Sequence, residues 1–454
     1  MTQPEANPNA PPAKPPNLIY GAEDRPPLPV LMLLGFQHIS VMTIALVIVV
    51  MIANTAKASF EDAGILVRLA LLTMGLTSIL QGIRRGGIGS GYLCPSVCGP
   101  AYIGASMAAA KAGGIALVSG MLLMVGVFET LLSRFISRLR ALFPTHVIGL
   151  VVLMVGFEAV VVSVPRFLGT GCSTPSERRL SVFVALAALA AMMIPTVWVK
   201  GRLRLYSVLM GLAAGYATAI ASGLLGHEAL ERISREPWFD WPRPGHFGWK
   251  FDPLMIVPFL IATLSSTLKS VGDLSMCQKI NDPAWTRPDL KPIGRGVMAI
   301  GLGNLCSGLA GGLGMSTSSS NVGLSISLGA TSRVILFAVG GLMVALSFFP
   351  KIAAMVVLMP DPVMGACLVY ASCYMLVAGF QLLCVKPMTL AESFVIGISL
   401  CFSFSVDLAP QLFEGLPAWL HPFFQSSLTL ATLMAMILNL VFCAGAREDS
   451  GGGR

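Results

Sequence analysis

Apolar stretches of membrane-spanning length recur along nearly the whole chain, and no other feature of the sequence restricts its fold so tightly. Twelve of them fall at roughly 29–53, 63–83, 113–133, 144–164, 180–199 and 205–225, then 253–277, 294–313, 333–350, 361–383, 389–406 and 425–444. About 20 apolar residues carry a helix across a bilayer core. In hydrocarbon every backbone N–H and C=O must find a partner within the protein, which restricts spanning segments to helices and closed barrels. Runs this long are helical. The composition agrees, with 55% hydrophobic and only 11% charged residues among 454, where a soluble domain carries about 25% charged. The expected class is an all-α polytopic membrane protein.

A net charge of +8 does not point to nucleic acid, because the basic residues sit in loops at helix ends. There they act as topology signals and lipid-headgroup contacts. Of ten cysteines, Cys367, Cys373, Cys384, Cys401 and Cys443 lie in apolar runs, where a thiol behaves as a small hydrophobe. Zinc-type Cys/His spacing is not found, nor is a nucleophile–base set. An enzyme is therefore not expected, and no cofactor or metal is expected, apart from coupling to H+ or Na+. Residues 1–28 form a Pro-rich polar tail that reads as disordered, without the features of a cleavable signal peptide.

Two further stretches are too rich in Gly, Pro and Ser to be ordinary spans. One runs from Ile88 through Gly89-Ser-Gly91 and Cys94-Pro-Ser-Val-Cys-Gly-Pro-Ala-Tyr102 into Ile103–Ala110. The other runs from Gly311 through Met315-Ser-Thr-Ser-Ser-Ser-Asn321 into Val322–Leu328. Each pairs an extended, helix-breaking part with a short apolar helix, and each is third in its half of the chain. Counting them gives 14 transmembrane segments, with 29–225 and 253–445 as two seven-segment repeats and segments 3 and 10 broken. Interrupted segments at matching positions of two halves point to a transporter's binding site; two purely structural re-entrant loops are the alternative. Lys and Arg concentrate around 84–85, 134–140, 200–204 and 279–295, which places those loops and both termini in the cytoplasm. An odd number of segments per half makes the repeat inverted. The connection 226–252 is then external, and 446–454 is a cytoplasmic C-terminal tail.

Ionisable residues at membrane depth are costly and mark function. Lys269 and Asp273, four residues apart, share one helix face and can pair. The alternative is a helix end snorkelling to the interface. Ser316 to Ser320 and Asn321 place small hydrogen-bonding groups before a short helix, whose free N–H groups and partial positive charge suit an anionic or carbonyl-bearing solute. Simple N-capping is compatible with the same residues. His38, Glu129 and Glu158 read as inter-helix bonding groups, Cys94 and Cys98 as packing residues, and Arg134–Arg140 as a solvated cytoplasmic face.

From Tyr20 to Phe442 the chain resembles the nucleobase–ascorbate transporter family, the xanthine/uracil permeases. The resemblance rests on Pro26-Pro27-Leu28 with Gly35-Phe36-Gln37-His38, on Gly89-Ser-Gly91 with Gly99-Pro-Ala-Tyr102, on Lys269-Ser-Val-Gly-Asp273, and on Asn321-Val-Gly323 with Ser332-Arg333. It implies a core and a gate domain, short strands crossing in segments 3 and 10, a solute between them, a homodimer built through the gate, and elevator-type alternating access. By that resemblance Lys269, Asp273, Ser319, Ser320, Asn321, Ala101 and Tyr102 meet the substrate, while Gln37, His38, Gly99 and Gly323 support the site.

Three positions depart from the family pattern. Lys269 replaces its substrate-binding Glu, Ser320 replaces a Gln or Glu, and Leu328 replaces a Thr. These changes weaken the case for uracil-type or xanthine-type recognition and leave Asp273 as the remaining acid of the pair. The expectation is a secondary permease, a symporter in family terms, of the cell inner (plasma) membrane. Its cargo is a nucleobase-like or related small heterocycle, with Lys269 favouring an anionic one. An anion channel or exchanger on the same architecture, or a non-transporting homologue, are the alternatives. Expected partners are the small solute, membrane lipids and a second copy of the chain.

Overall fold

The structure is a computed structural model that describes residues 15, 18–136, 144–172, 174–199, 206–285, 288–384, 387–413, 424 and 427–444. Most of the tail expected at 1–28, the C-terminal tail at 446–454, and Arg138, Arg140, Lys200, Arg202 and Arg204 lie outside the described residues.

The chain opens with α1 (Leu28–Met42) and α2 (Ile44–Thr55), which meet end to end at Thr43 and together make one span. Helix α3 (Phe60–Gly82) begins at Ser59, whose hydroxyl caps the Asp62 N–H at 3.1 Å. Strand β1 (Ser96–Cys98) and a 3-10 turn lead into α4 (Ile103–Leu132). The half-helix and the next span, read separately in the sequence, are merged in α4 across a kink at Gly114, whose φ of 73° is left-handed. Only glycine takes that conformation without a Cβ penalty. Then follow α5 (Thr145–Phe167), α6 (Pro175–Trp198), α7 (Ser207–Ala221) and the short α8 (His227–Arg235).

The second half runs α9 (Ile256–Asn281), α10 (Leu290–Ala310), β2 (Met315–Thr317), α11 (Ser319–Leu328), α12 (Val334–Leu346) and α13 (Pro350–Val357), then α14 (Asp361–Leu383), α15 (Leu390–Leu408) and α16 (Ser427–Ala444). The stretch expected as one span at 333–350 instead stops at Leu346 and turns by 87° into α13. Pro350 opens the new helix at the position where its missing N–H is harmless. Among the described residues, nine helical stretches are long and apolar enough to cross a membrane, or ten if the bent pair counts as one span.

Strands β1 and β2 pair antiparallel, with Ser96 opposite Thr317, Val97 opposite Ser316 and Cys98 opposite Met315. The ladder continues through Gly99 N–H to the Gly314 carbonyl at 2.7 Å and Ser318 N–H to the Pro95 carbonyl at 3.0 Å. Proline at 95 and 100 disfavours helix in the residue before it, and Gly311, with φ 90°, ends α10. The extended segments thus follow from local chemistry, and each satisfies the other's backbone inside the protein, as membrane depth requires.

Between α8 and α9 the connection is tied down. Buried Arg68 of α3 donates to the Asp240 carboxylate at 2.8 Å, to the Asp240 carbonyl at 2.6 Å and to the Ser347 carbonyl at 3.0 Å. That guanidinium holds the Asp240 carboxyl below the usual carboxylate range.

Candidate functional site

Helix α9 carries Lys269 and Asp273 one turn apart, and the sequence expectation of a pair meets a closed geometry. Lys269 Nζ lies 2.9 Å from Asp273 Oδ2 and donates to the Thr317 carbonyl of β2 at 2.6 Å. Thr317 Oγ1 in turn donates to Asp273 Oδ2 at 2.6 Å and lies 3.2 Å from Ser270 Oγ. Lysine is 2% exposed, so its stem does not snorkel. An ammonium has three donors; these contacts use two and leave one for a bound molecule.

A cavity opens beside this pair. Its polar side is Lys269, Thr317, Ser318, Ser319 and Ser320. Val97, Cys98 and Pro100 of the first broken segment form another side. An apolar wall comes from α1 and α2 (Met42, Ala45, Ile48) and from α14 (Leu368, Ala371, Met375). The first N–H groups of α11, which have no partner inside the helix, begin at Ser319. The Ser319 hydroxyl has no hydrogen-bond partner among the described atoms.

The remaining expected residues take different places. Asp273 and Asn321 stand behind the lining. Asn321 is fully buried, its Oδ1 accepts from His38 Nδ1 at 2.8 Å, and its Nδ2 donates to Ser318 Oγ at 2.8 Å. His38 therefore ties α1 to the entry of α11. Gln37, beside it, is buried with its side-chain Oε1 unpartnered among the described atoms. Ala101 and Tyr102, expected at the solute, do not line the cavity. Tyr102 points between α9 and α10, its hydroxyl 3.3 Å from Thr263 Oγ1 and from Asn304 Nδ2. Pro100 and Ile103 line the cavity on either side of them. Gly99 is required by close approach, since a Cβ there would sit 2.7 Å from the Ser316 Cβ. At Gly323 a Cβ would meet nothing within 4 Å.

Sequence reasoning missed two things, Thr317 as the third member of the ion-pair cluster and the apolar wall. Glu129 of α4, read as an inter-helix bonding group, does bond across helices in a fully buried polar network, receiving bonds from Thr267 Oγ1 at 2.9 Å and Asn304 Nδ2 at 2.7 Å. Asn304 in turn accepts the Met315 N–H of β2 at 2.6 Å.

The model of the Permease family, the xanthine/uracil permeases, matches residues 30–412. Among curated proteins, the chain is 28% identical to a putative purine permease of Clostridium perfringens, covering 94% of this chain and 93% of that one. It is 26% identical to the xanthine permease XanP of Escherichia coli, over 94% of each chain. It is 27% identical to the uric acid permease PucJ of Bacillus subtilis, over 92% of this chain and 93% of that one. In fold it is similar to the transmembrane domain of the cyanobacterial bicarbonate transporter BicA, with TM-score 0.53, 15% identity and coverage of 92% and 99%. It is likewise similar to the murine anion transporter Slc26a9, with TM-score 0.61, 11% identity and coverage of 93% and 69%. A multi-span helical fold matched by one family model over most of its length, with relatives that are transporters and not enzymes, settles the class: the chain belongs to the Permease family of membrane transporters, in the nucleobase–ascorbate group.

Proposed function

We propose that this permease is a secondary transporter that carries a nucleobase-type heterocycle, anionic at neutral pH, across the plasma membrane. The observation that carries this reading is the Lys269 ammonium at the wall of the cavity where β1, β2 and the start of α11 meet. Relatives that are a uric acid permease, a xanthine permease and a putative purine permease supply the ring chemistry. Met42, Leu368 and Met375 offer apolar and polarizable surface to a flat ring. Lys269, Ser319 and the first amides of α11 all donate, so they suit a deprotonated or carbonyl edge.

In this reading the chain makes 14 segments as two inverted repeats, with core and gate domains, a homodimer through the gate and elevator-type movement of the core. Both termini are cytoplasmic. External labelling of a cysteine placed near His246, with a cysteine near Arg134 protected, supports that orientation; the opposite pattern removes the inverted repeat. Function is tested by thermal shift of purified protein and uptake of radiolabelled urate, xanthine, uracil and small carboxylates. A ligand of the native state raises the melting temperature by mass action. Saturable uptake of urate that Lys269→Gln abolishes is the expected result. Uptake of uracil in preference to urate, unaffected by Lys269→Gln, defeats the reading. Unitary currents would favour an anion channel instead.

A further inference from the structure

The Lys269–Asp273 pair cancels its own charge, but the buried acid Glu129 has no cation beside it among the described residues. Glu129 is 0% exposed, and its two oxygens are met by neutral donors, Thr267 Oγ1 on α9 and Asn304 Nδ2 on α10. We propose that Glu129 is the proton-carrying group of this permease, binding and releasing the coupling proton at a site separate from the solute. The proposal rests on the transporter reading above for its biological meaning, and on geometry alone for the proton site.

The hydrogen bonds accommodate both protonation states. Asn304 cannot turn its amide around, because the Met315 N–H requires Asn304 Oδ1 as acceptor at 2.6 Å. Its NH2 group therefore donates to Glu129 Oε2 whatever the charge. Thr267 can reverse. When Glu129 is ionised, the Thr267 hydroxyl donates to Oε1. When Glu129 is protonated, Oε1–H donates to Thr267 Oγ1, and the threonine proton turns to the Thr263 carbonyl one helical turn back, a usual partner for a helical threonine. One proton is added and no hydrogen bond is lost. A sodium ion would have to displace donors already at 2.7 and 2.9 Å from the two oxygens, so the network favours H+.

The titratable surroundings are few. From the 3-10 turn before α4, Tyr102 faces Glu129 through Asn304. On α9, Lys269 and Asp273 are engaged with each other and Thr317. Lys269 lies two positions past Thr267 and so points to another side of the helix. On α10, Cys306 is offset from Asn304 in the same way, and Lys291 and Arg295 lie toward its start. Lys111 sits far along α4 itself, and Arg134 lies just past its end. Helix α2 and the turn Pro253–Met255, also packed on α4, carry no titratable side chain.

The site can sense this proton. Asn304 holds Met315, two residues from the Thr317 carbonyl that receives Lys269, and Thr267 shares α9 with Lys269. A change at Glu129 therefore bears on both elements that form the ion pair.

The test compares the parent with Glu129→Gln and Glu129→Asp in proteoliposomes, using radiolabelled urate and xanthine. Glutamine mimics the protonated acid, accepting from Asn304 and donating to Thr267. In Glu129→Gln, solute exchange should persist, while accumulation driven by an imposed pH gradient falls to no gradient. Glu129→Asp should regain part of the accumulation with an altered pH profile. A second arm needs no solute. Infrared difference spectra of the purified parent between about pH 5 and 9, the range open to a perturbed carboxyl, should contain a titrating protonated-carboxyl band that is missing in Glu129→Gln. That arm stands even if neither urate nor xanthine is transported, so failure of the substrate reading is distinguishable. Parent-like accumulation in Glu129→Gln, a retained titrating band, accumulation driven by a sodium gradient alone, or loss of exchange in a variant with unchanged melting temperature would each overturn the proposal.

Discussion

The two broken segments meet in one antiparallel strand pair, yet they contribute opposite chemistry. The first presents Val97, Cys98 and Pro100 to the cavity, while the second presents Thr317, Ser318, Ser319 and Ser320. The first continues into the long helix α4, and its Tyr102 is bonded away from the cavity. The second leads into the ten-residue α11, whose entry is fastened by Asn321 to Ser318 and to His38. Backbone geometry is shared between the two, and the polar lining is concentrated in one. A cation from α9 then completes the polar side, so that side is assembled only while α9 and β2 stay in register.

The largest effect should come from Lys269, which joins the two. Removing one partner of a buried ion pair costs about 3–5 kcal/mol, so Lys269→Gln should lower the melting temperature and abolish binding of the anionic ligand. Lys269→Glu places two carboxylates one turn apart and disfavours ionisation of at least one. It should lose the native solute and acquire weak, pH-dependent nucleobase binding. Titration calorimetry over about pH 5–8, where such a carboxyl titrates, decides this; unchanged affinity in both variants would place Lys269 outside the site.

The crossing itself is tested next. Alanine at Gly99 would put a Cβ 2.7 Å from Ser316 Cβ, and at Gly314 one 2.5 Å from the Tyr102 ring. Both should separate the strands and remove ligand binding, at about 1–3 kcal/mol of stability for overpacking. Retained binding in both would mean that the pairing is not needed for recognition.

Asn321→Ala leaves His38 and Ser318 without a shared partner, so about 1–3 kcal/mol of stability should be lost, measured by thermal unfolding with and without ligand. Equal stability would show that His38 finds another partner. The smallest effects sharpen the asymmetry most. Ser319→Ala and Ser320→Ala should weaken ligand affinity by about 0.5–1.5 kcal/mol, the net worth of one hydrogen bond, with little change in melting temperature. Val97→Ala and Cys98→Ala should alter affinity less. Equal losses on both strands would show that the two broken segments contribute alike.

Much of this was legible in the sequence, for identifiable reasons. Apolar run length announced the spans, and Gly, Pro and Ser announced the breaks, because both signals are local. Lys269 and Asp273 were readable as a pair because helical spacing alone brings them together. The Thr317 contact was not, since it joins positions 48 apart in the sequence. The apolar wall was hidden for a different reason: Met42 and Leu368 look like any core residues until a cavity is seen beside them. Tyr102 was assigned to the solute through a motif, whereas its hydroxyl is directed by Asn304 and Thr263. The bend after Leu346 was hidden in a run whose hydropathy continues almost unbroken to Pro350.

The buried lysine–aspartate pair also sets the electrical character of the carrier. With the pair intact, a proton-carrying Glu129 would leave the empty carrier with one negative charge, so its outward return is favoured by an interior-negative potential. A bound monoanion adds one negative charge, and carrying it into an interior-negative cell works against about 2.3 kcal/mol per 100 mV. A proton travelling on Glu129 would cancel that charge over the whole cycle, which then moves no net charge and draws on the pH difference alone, about 1.4 kcal/mol per unit. A neutral base carried with the same proton would instead bring a positive charge inward and be driven by voltage as well. One carrier would thus respond to membrane potential or ignore it according to the charge of its cargo.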